Sequence, residues 1–368
     1  MSFTKKIITA TLLLTALASS SFAKPKAKKS KESKKTNTIK IVTTIFPEYD
    51  WTREIIGTQT ANTELTLLMN NGTDLHSYQP SIQDIAKIST ADIFIYVGGE
   101  SDGWVKDALK NVRNKNIITL NLMELLGDKV REEEIIEGMQ AEEEEHHHEH
   151  GHDEESEHDE HGHDEEGHHH EDEEGEGHEN HHHHEDEEEI EYDEHVWLSL
   201  RNAKICCNAI CEALCKSSPE NATAYKANLA AYSKKLDDLD SRFSQTVSTS
   251  EKKTLLFGDR FPFRYFVDDY SLNYYAAFVG CSAETEASFE TIIFLAKKVD
   301  ELGLNSVCQI ESGTGKIART IIQSSKNKNA AILTFDSMQS VNSTDIQNGT
   351  TYLSIMENNL KVLKKALA

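Results

Sequence analysis

Residues 218–247 read SPENATAYKANLAAYSKKLDDLDSRFSQTV, and the spacing of their apolar side chains decides how the rest of the chain is arranged. Tyr225, Leu229, Tyr232, Leu236, Leu239 and Phe243 recur at alternating intervals of four and three residues, which draws one continuous apolar stripe along a helix. Ser218 followed by Pro219 marks the start, a capping hydroxyl and then proline at the first helical position, where an N–H is not needed. A helix from Pro219 to about Val247 is roughly 43 Å long at 1.5 Å per residue, enough to cross two small domains. A heptad reading of the same stripe would give a dimeric coiled coil. A monomer whose helix packs on its own domains is the simpler expectation.

On either side of this helix the chain shows the same rhythm. Ile39–Ile45, Glu64–Met69, Asp92–Val97 and Asn116–Leu122 read as β-branched strands, with helices at Ser81–Ser89 and Asp102–Val112. Strands are expected again at Thr254–Gly258, Asn273–Phe278, Ser306–Ile310 and Ala331–Phe335, with helices at Thr285–Leu302, Gly313–Ser325 and Asp345–Ala366. Alternating strands and helices make parallel sheets. The expected fold is therefore α/β, two Rossmann-like lobes with parallel sheets: a first lobe over 39–217, the linking helix over 218–248 and a second lobe over 249–368. A chain of 368 residues is long enough for both.

The N-terminus carries Lys5 and Lys6, an apolar run from Ile7 to Ala18, and small residues Ser21 and Ala23 before a cut, which is the layout of a secretory signal peptide over 1–23. The Lys-rich stretch over 24–38 reads as a disordered basic spacer. It lacks interleaved aromatics, so no nucleic-acid surface is indicated. No cysteine lies near the cut, so no lipid anchor is indicated, and the expected location is periplasmic or secreted. Cys206, Cys207, Cys211 and Cys215 share one helical stretch and read as small buried side chains; a bond involving Cys281 or Cys308, or adventitious metal binding, is the alternative.

Residues 129–194 interrupt the first lobe with a low-complexity insertion that is expected to be disordered, since its His-rich part offers little apolar surface to bury. Without the 28 acidic residues of positions 142–194, the net charge of −25 becomes +3. Sixteen of the 18 histidines lie inside the insertion: His146, His147, His148, His150, His152, His158, His161, His163, His168, His169, His170, His178, His181, His182, His183 and His184. Imidazoles interleaved with carboxylates suit divalent cations. These sixteen are candidates for accessory metal capture, which should weaken below about pH 6 as they protonate. A merely solubilising loop would not require histidine.

That leaves only His76, in NNGTDLHSYQPS, and His195, in DEHVWLSLRNA, within the folded part. In doubly wound sheets ligands bind at the carboxyl ends of strands. His76, Asp259, Glu311 and Asp336 each follow an expected strand, and His195 follows the fourth by way of the insertion. A lone histidine or aspartate after a strand is commonly a loop or capping residue. As a set, two imidazoles with carboxylates suit Zn²⁺, with Mn²⁺ favoured as carboxylates replace imidazoles.

The phrases TDLHSYQPS, EHVWLSLRNA, SPENATAYKANLAAYSKKLDDLD and LTFDSMQS resemble the metal-binding receptors of bacterial ABC transporters for zinc and manganese, the zinc branch in particular. The resemblance covers residues 39–367. It implies two α/β lobes joined by one long rigid helix with the metal in the inter-lobe cleft, ligands at His76, His195 and Asp336, Zn²⁺ (or Mn²⁺) as the transported ligand, and an inner-membrane ABC permease as partner. It also implies that the tract over 142–189 is the His- and acid-rich loop many zinc receptors carry.

One departure stands out. Where most members place a third histidine, this chain has FGDRFPFRYF, and Arg260 cannot ligate because its guanidinium stays protonated. Asp259 is the nearest substitute, Glu284 in CSAETEAS a second candidate, and Glu311 a further one as ligand or as acceptor behind the ligands. Failing these, a water fills the place.

No turnover chemistry is expected. A secreted zinc hydrolase would need an H-E-x-x-H motif or a comparable His pair and a general base, which the sequence lacks outside the tract. The GTGK of residues 313–316 is not a phosphate loop, because Ile310 and Ile317 occupy positions that require glycine and a hydroxyl residue. A metal-binding surface adhesin or an extracellular metal store on the same fold is the alternative function.

Overall fold

The computed structural model describes residues 38–140, 191–282 and 286–368. The expected signal peptide, all but the last residue of the basic spacer, the His-rich tract and Glu284 lie outside the described residues. No helix among the described residues is long and apolar enough to cross a membrane.

The first lobe runs β1 (Ile39–Thr43), α1 (Phe46–Ile56), β2 (Thr63–Leu67), α2 (Ile82–Ser89), β3 (Ile93–Tyr96), α3 (Val105–Lys110), β4 (Ile118–Asn121), α4 (Leu122–Leu126) and α5 (Leu200–Ser217). The linking helix is α6 (Ala222–Thr249). The second lobe runs β5 (Thr254–Phe261), α7 (Arg264–Tyr270), β6 (Asn273–Val279), α8 (Phe289–Glu301), β7 (Ser306–Ile310), α9 (Lys316–Ser324), β8 (Ala331–Phe335), α10 (Ser343–Gln347) and α11 (Tyr352–Ala366). Each lobe has one parallel four-stranded sheet, ordered β2-β1-β3-β4 and β6-β5-β7-β8. This is the doubly wound order, in which the strand sequence reverses and opens a crevice at the carboxyl ends.

Pro219 opens a single 3₁₀ turn, Pro219–Asn221, before α6 begins, and Ser250 closes the helix by donating its N–H to the Val247 carbonyl. The apolar stripe is spent inside the chain. Tyr225, Tyr232, Leu236, Leu239 and Phe243 are buried, and α6 packs against α1 and α5 of the first lobe and α7 and α11 of the second. One apolar core continues through both lobes, from Ile41, Trp51 and Phe94 past Trp197 to Phe257, Phe335 and Leu363. A helix whose inward face is committed to both lobes resists their separation, since each fully buried large side chain contributes about 2 kcal/mol.

Several expectations need correction. Helices α1, α4 and α7 are absent from the sequence reading. The closing helix is two, because Gly349 takes φ +92 and Thr351 starts a new cap by accepting from the Ser354 N–H. The insertion is narrower than 129–194: residues 131–133 pair antiparallel with 191–193, and Gln140 bridges Phe278 on the edge strand β6, its N–H donating to the Ala277 carbonyl. Both stems of the insertion are thus built into the fold. All six cysteines are thiols.

Helix α1 starts on a buried acid. Glu48 Oε2 accepts from Thr44 N at 2.8 Å, Thr44 Oγ1 at 3.1 Å and Ile45 N at 3.3 Å, while its Oε1 has no hydrogen-bond partner. Burial, and then the nearby charge of Asp102, push its pKa to about 8. The folded state therefore holds a proton that the unfolded chain releases near its ordinary value, so this stabilising contribution is full in acid and is lost as pH rises through 8. We expect the stability difference between the unaltered protein and Glu48→Gln to shift by about 1.4 kcal/mol per pH unit between pH 5 and 8, against the unaltered protein as pH rises. Urea unfolding at several pH values reads this, and a pH-independent difference contradicts it.

Candidate metal centre

His76 sits on a 3₁₀ turn, Leu75–Ser77, reached from the carboxyl end of β2. Asp74 caps that turn, accepting the His76 N–H at 3.1 Å, and its other oxygen accepts from Arg260 Nη2 at 2.7 Å. Burial alone would raise the Asp74 pKa, but the Arg260 charge outweighs it and holds the carboxyl below its ordinary range. Arg260, standing in the place of the missing histidine, thus ties the His76 loop of the first lobe to the second lobe.

His195 is fully buried. Asp193 Oδ1 accepts both from its backbone N–H at 2.8 Å and from its Nδ1 at 2.9 Å. Asp193 is held in turn by the paired stems of the insertion and by Tyr265, whose hydroxyl donates to the Asp193 carbonyl at 2.6 Å. Gly280, just past β6, allows the close approach: a Cβ there would lie 3.0 Å from His195 Cε1 and from the Phe261 carbonyl oxygen.

The two rings meet with Nε2 facing Nε2 at 3.2 Å. Nδ1 of His76 lies 2.8 Å from Ser101 Oγ and 3.6 Å from Glu194 Oε2, an oxygen otherwise without a partner. With each Nδ1 turned to oxygen acceptors, each neutral ring presents its lone pair at Nε2. A cation between the two nitrogens satisfies both lone pairs, and without one the 3.2 Å contact is a hydrogen bond from whichever ring carries its proton at Nε2. Burial, and then the charge of His195, depress the His76 pKa. Burial works the same way on His195, but the charge and hydrogen bond of Asp193 raise it overall. Glu194 is raised by burial.

Among the described residues, the one group of at least three potential metal ligands close together is His76, His195 and Cys281, with one donor atom from each within 4.8 Å of the others. Cys281 follows β6, and Glu133 from the insertion stem accepts its backbone N–H at 3.2 Å. Burial, and then the Glu133 charge, push its thiol pKa up. A cavity of about 810 Å³ beside the stems is lined by five acids, Glu124, Asp128 and Glu132 to Glu134, and by Arg131 and Arg264, and Glu133 reaches from it towards the cluster.

The other expected ligands are not brought into this group. Asp259 lies within β5, which continues through a register shift to Phe261, and its oxygens accept from Arg260 N at 2.9 Å and Ile310 N at 3.2 Å. Glu311 clamps the loop after β8, accepting from Ser337 N at 2.7 Å, Ser337 Oγ at 2.9 Å and Gln339 N at 3.1 Å. Asp336 accepts from Met338 N at 2.8 Å, and its pKa is raised to about 7 by burial and then by Glu311. Cys281, Asp193 and Arg260 were not anticipated in these roles. The strand-end rule that selected His76 would also have selected Cys281, one residue beyond the Gly280 that follows β6.

Two parallel-sheet α/β lobes, a long helix across both and a facing imidazole pair, one ring buried and one partly exposed, at the sheet ends define a two-lobed metal-binding protein. Residues 41–366 match the family profile described as ZnuA, zinc-uptake complex component A, periplasmic, and the chain belongs to that family. The chain is 28% identical over 326 residues to the zinc-binding protein AdcA of Streptococcus pyogenes, across 89% of this chain and 55% of AdcA, so it spans about half the length of that relative. It is 26% identical over 361 residues to the high-affinity zinc uptake system protein ZnuA of Bacillus subtilis, across 98% of this chain and 96% of that protein. In fold it is similar to the Zn(II)-bound ZnuA-like domain of Streptococcus pneumoniae AdcA, with a TM-score of 0.61 at 23% identity over 90% of this chain and 99% of that domain.

Proposed function

We propose that the chain is a receptor outside the cytoplasm that captures Zn²⁺ at His76 and His195 and delivers it to an inner-membrane ABC permease. The Nε2 to Nε2 separation of 3.2 Å carries this reading. Two imidazoles on one tetrahedral zinc, each about 2.0–2.1 Å from the ion, stand about 3.3 Å apart. Asp193 and Ser101 supply the outer hydrogen bonds that aim ligand rings at a metal, and the Glu194 carboxylate adds negative charge 3.6 Å behind His76. Family membership and the zinc-binding names of the relatives support the same cargo.

The continuous core leaves the lobes little room to hinge, so release requires the permease to displace the second lobe's part of the site. The sixteen histidines of the tract collect zinc weakly and raise its supply near the cluster, a role resting on their composition. The test is zinc accumulation by the producing cell from chelator-limited medium. Removal of the chain should lower it, the intact chain should restore it, and a His76→Ala/His195→Ala double variant should not. Accumulation that is indifferent to the chain contradicts the reading.

A further inference from the structure

We propose that Cys281 is the second lobe's ligand, its thiolate completing with His76 and His195 a two-imidazole, one-sulfur centre that takes Zn²⁺ and discriminates against Mn²⁺. This rests on the receptor reading and adds the ligand that makes the site bridge the lobes. Both histidines belong to the first lobe. An ion held by them alone would touch nothing across the cleft.

The second lobe offers few donors. Arg260 is a cation paired to Asp74. The oxygens of Asp259 and Glu311 accept from backbone amides, and Asp336 accepts from Met338 N. Among the described histidines, cysteines, aspartates and glutamates of the second lobe, Cys281 is the one grouped with both imidazoles, its donor atom within 4.8 Å of theirs. Tetrahedral zinc with Zn–N of 2.0–2.1 Å and Zn–S of 2.3 Å sets nitrogen and sulfur about 3.6 Å apart, inside the 4.8 Å within which the three donor atoms lie. Its main chain is already pinned by Glu133, and Gly280 leaves room for His195 against it. Binding replaces the S–H bond with an S–Zn bond and releases the proton to solvent. Thiolate is a soft ligand suited to zinc, whereas manganese prefers oxygen donors, so sulfur in the set sharpens the choice between them.

The probe is Co²⁺ titrated into the full, reduced chain and read by absorption. The His-rich tract contains no cysteine, so cobalt bound there gives no sulfur-to-metal charge-transfer band. The expected result is one such band, saturating at one equivalent, absent in both Cys281→Ser and His195→Ala, and displaced by Zn²⁺ but not by Mn²⁺. A missing band, or one unchanged in Cys281→Ser, overturns the proposal; if tight zinc binding still depends on His195, the receptor reading survives. Zinc binding indifferent to both His76 and His195 overturns the two together. Should Cys281→Ser fail to fold, alkylation of the unaltered chain decides the matter. Zinc should shield Cys281 from iodoacetamide relative to the other five thiols, and an unchanged rate overturns the proposal.

Discussion

His195→Ala should weaken the tight zinc site on the order of 10³-fold, beyond the 10- to 100-fold typical of losing a partner behind a ligand. The reason lies in the burial of the ring. His195 is inaccessible to solvent and its Nδ1 is fixed by Asp193, so Nε2 is aimed before the ion arrives. Asp193→Asn should fall in the smaller class, because the amide oxygen still accepts from Nδ1–H but the negative charge behind the imidazole is gone. Competition against a chromophoric chelator separates the two variants. A His195→Ala protein that retains the tight site would remove this ring from the ligand set.

Trp197→Ala should cost about 3–5 kcal/mol of stability, the range for deleting a large buried aromatic. Trp197 is 1% exposed and packs 5.2 Å from His195, centroid to centroid. Its Nε1–H donates to the Ser337 carbonyl at 2.9 Å, and its own carbonyl accepts from the Tyr352 hydroxyl at 2.7 Å. The indole is therefore both core and tie, since it joins the turn after His195 to the loop after β8. Truncation leaves a cavity at the junction of the lobes and strips the Ser337 carbonyl of its donor, a further 1 kcal/mol or more. Equilibrium unfolding in urea measures the loss. A change below about 1 kcal/mol would mean that the lobes are held elsewhere.

The lobes were readable because parallel sheets write themselves as β-branched runs separated by helices, and all eight expected strands are present within a few residues of their expected ends. The linking helix was readable from its stripe, which depends only on helical period. His76 and His195 stood out because every other histidine is in the tract. What the sequence did not disclose was where hydrogen bonds go. Asp259 was expected just past a strand, but the strand runs on through a bulge and spends the carboxylate on Ile310 N. Glu311 is likewise consumed by the amides of Ser337 and Gln339. The stems of the insertion were hidden by their acidic composition. Their order comes from pairing with each other and with β6, contacts distant in sequence that no local pattern shows. Cys281 stands in the sequence as a candidate for a disulfide and not as a ligand, and only the fold brings it to two imidazoles.

The measurement to make first is a competitive zinc titration of a chain lacking residues 141–190, beside the same chain carrying His76→Ala and His195→Ala. The prediction is one tight site in the first and none in the second. If shortening the chain abolishes tight binding, or if the double variant keeps it, the cleft between the lobes is not where this protein holds zinc.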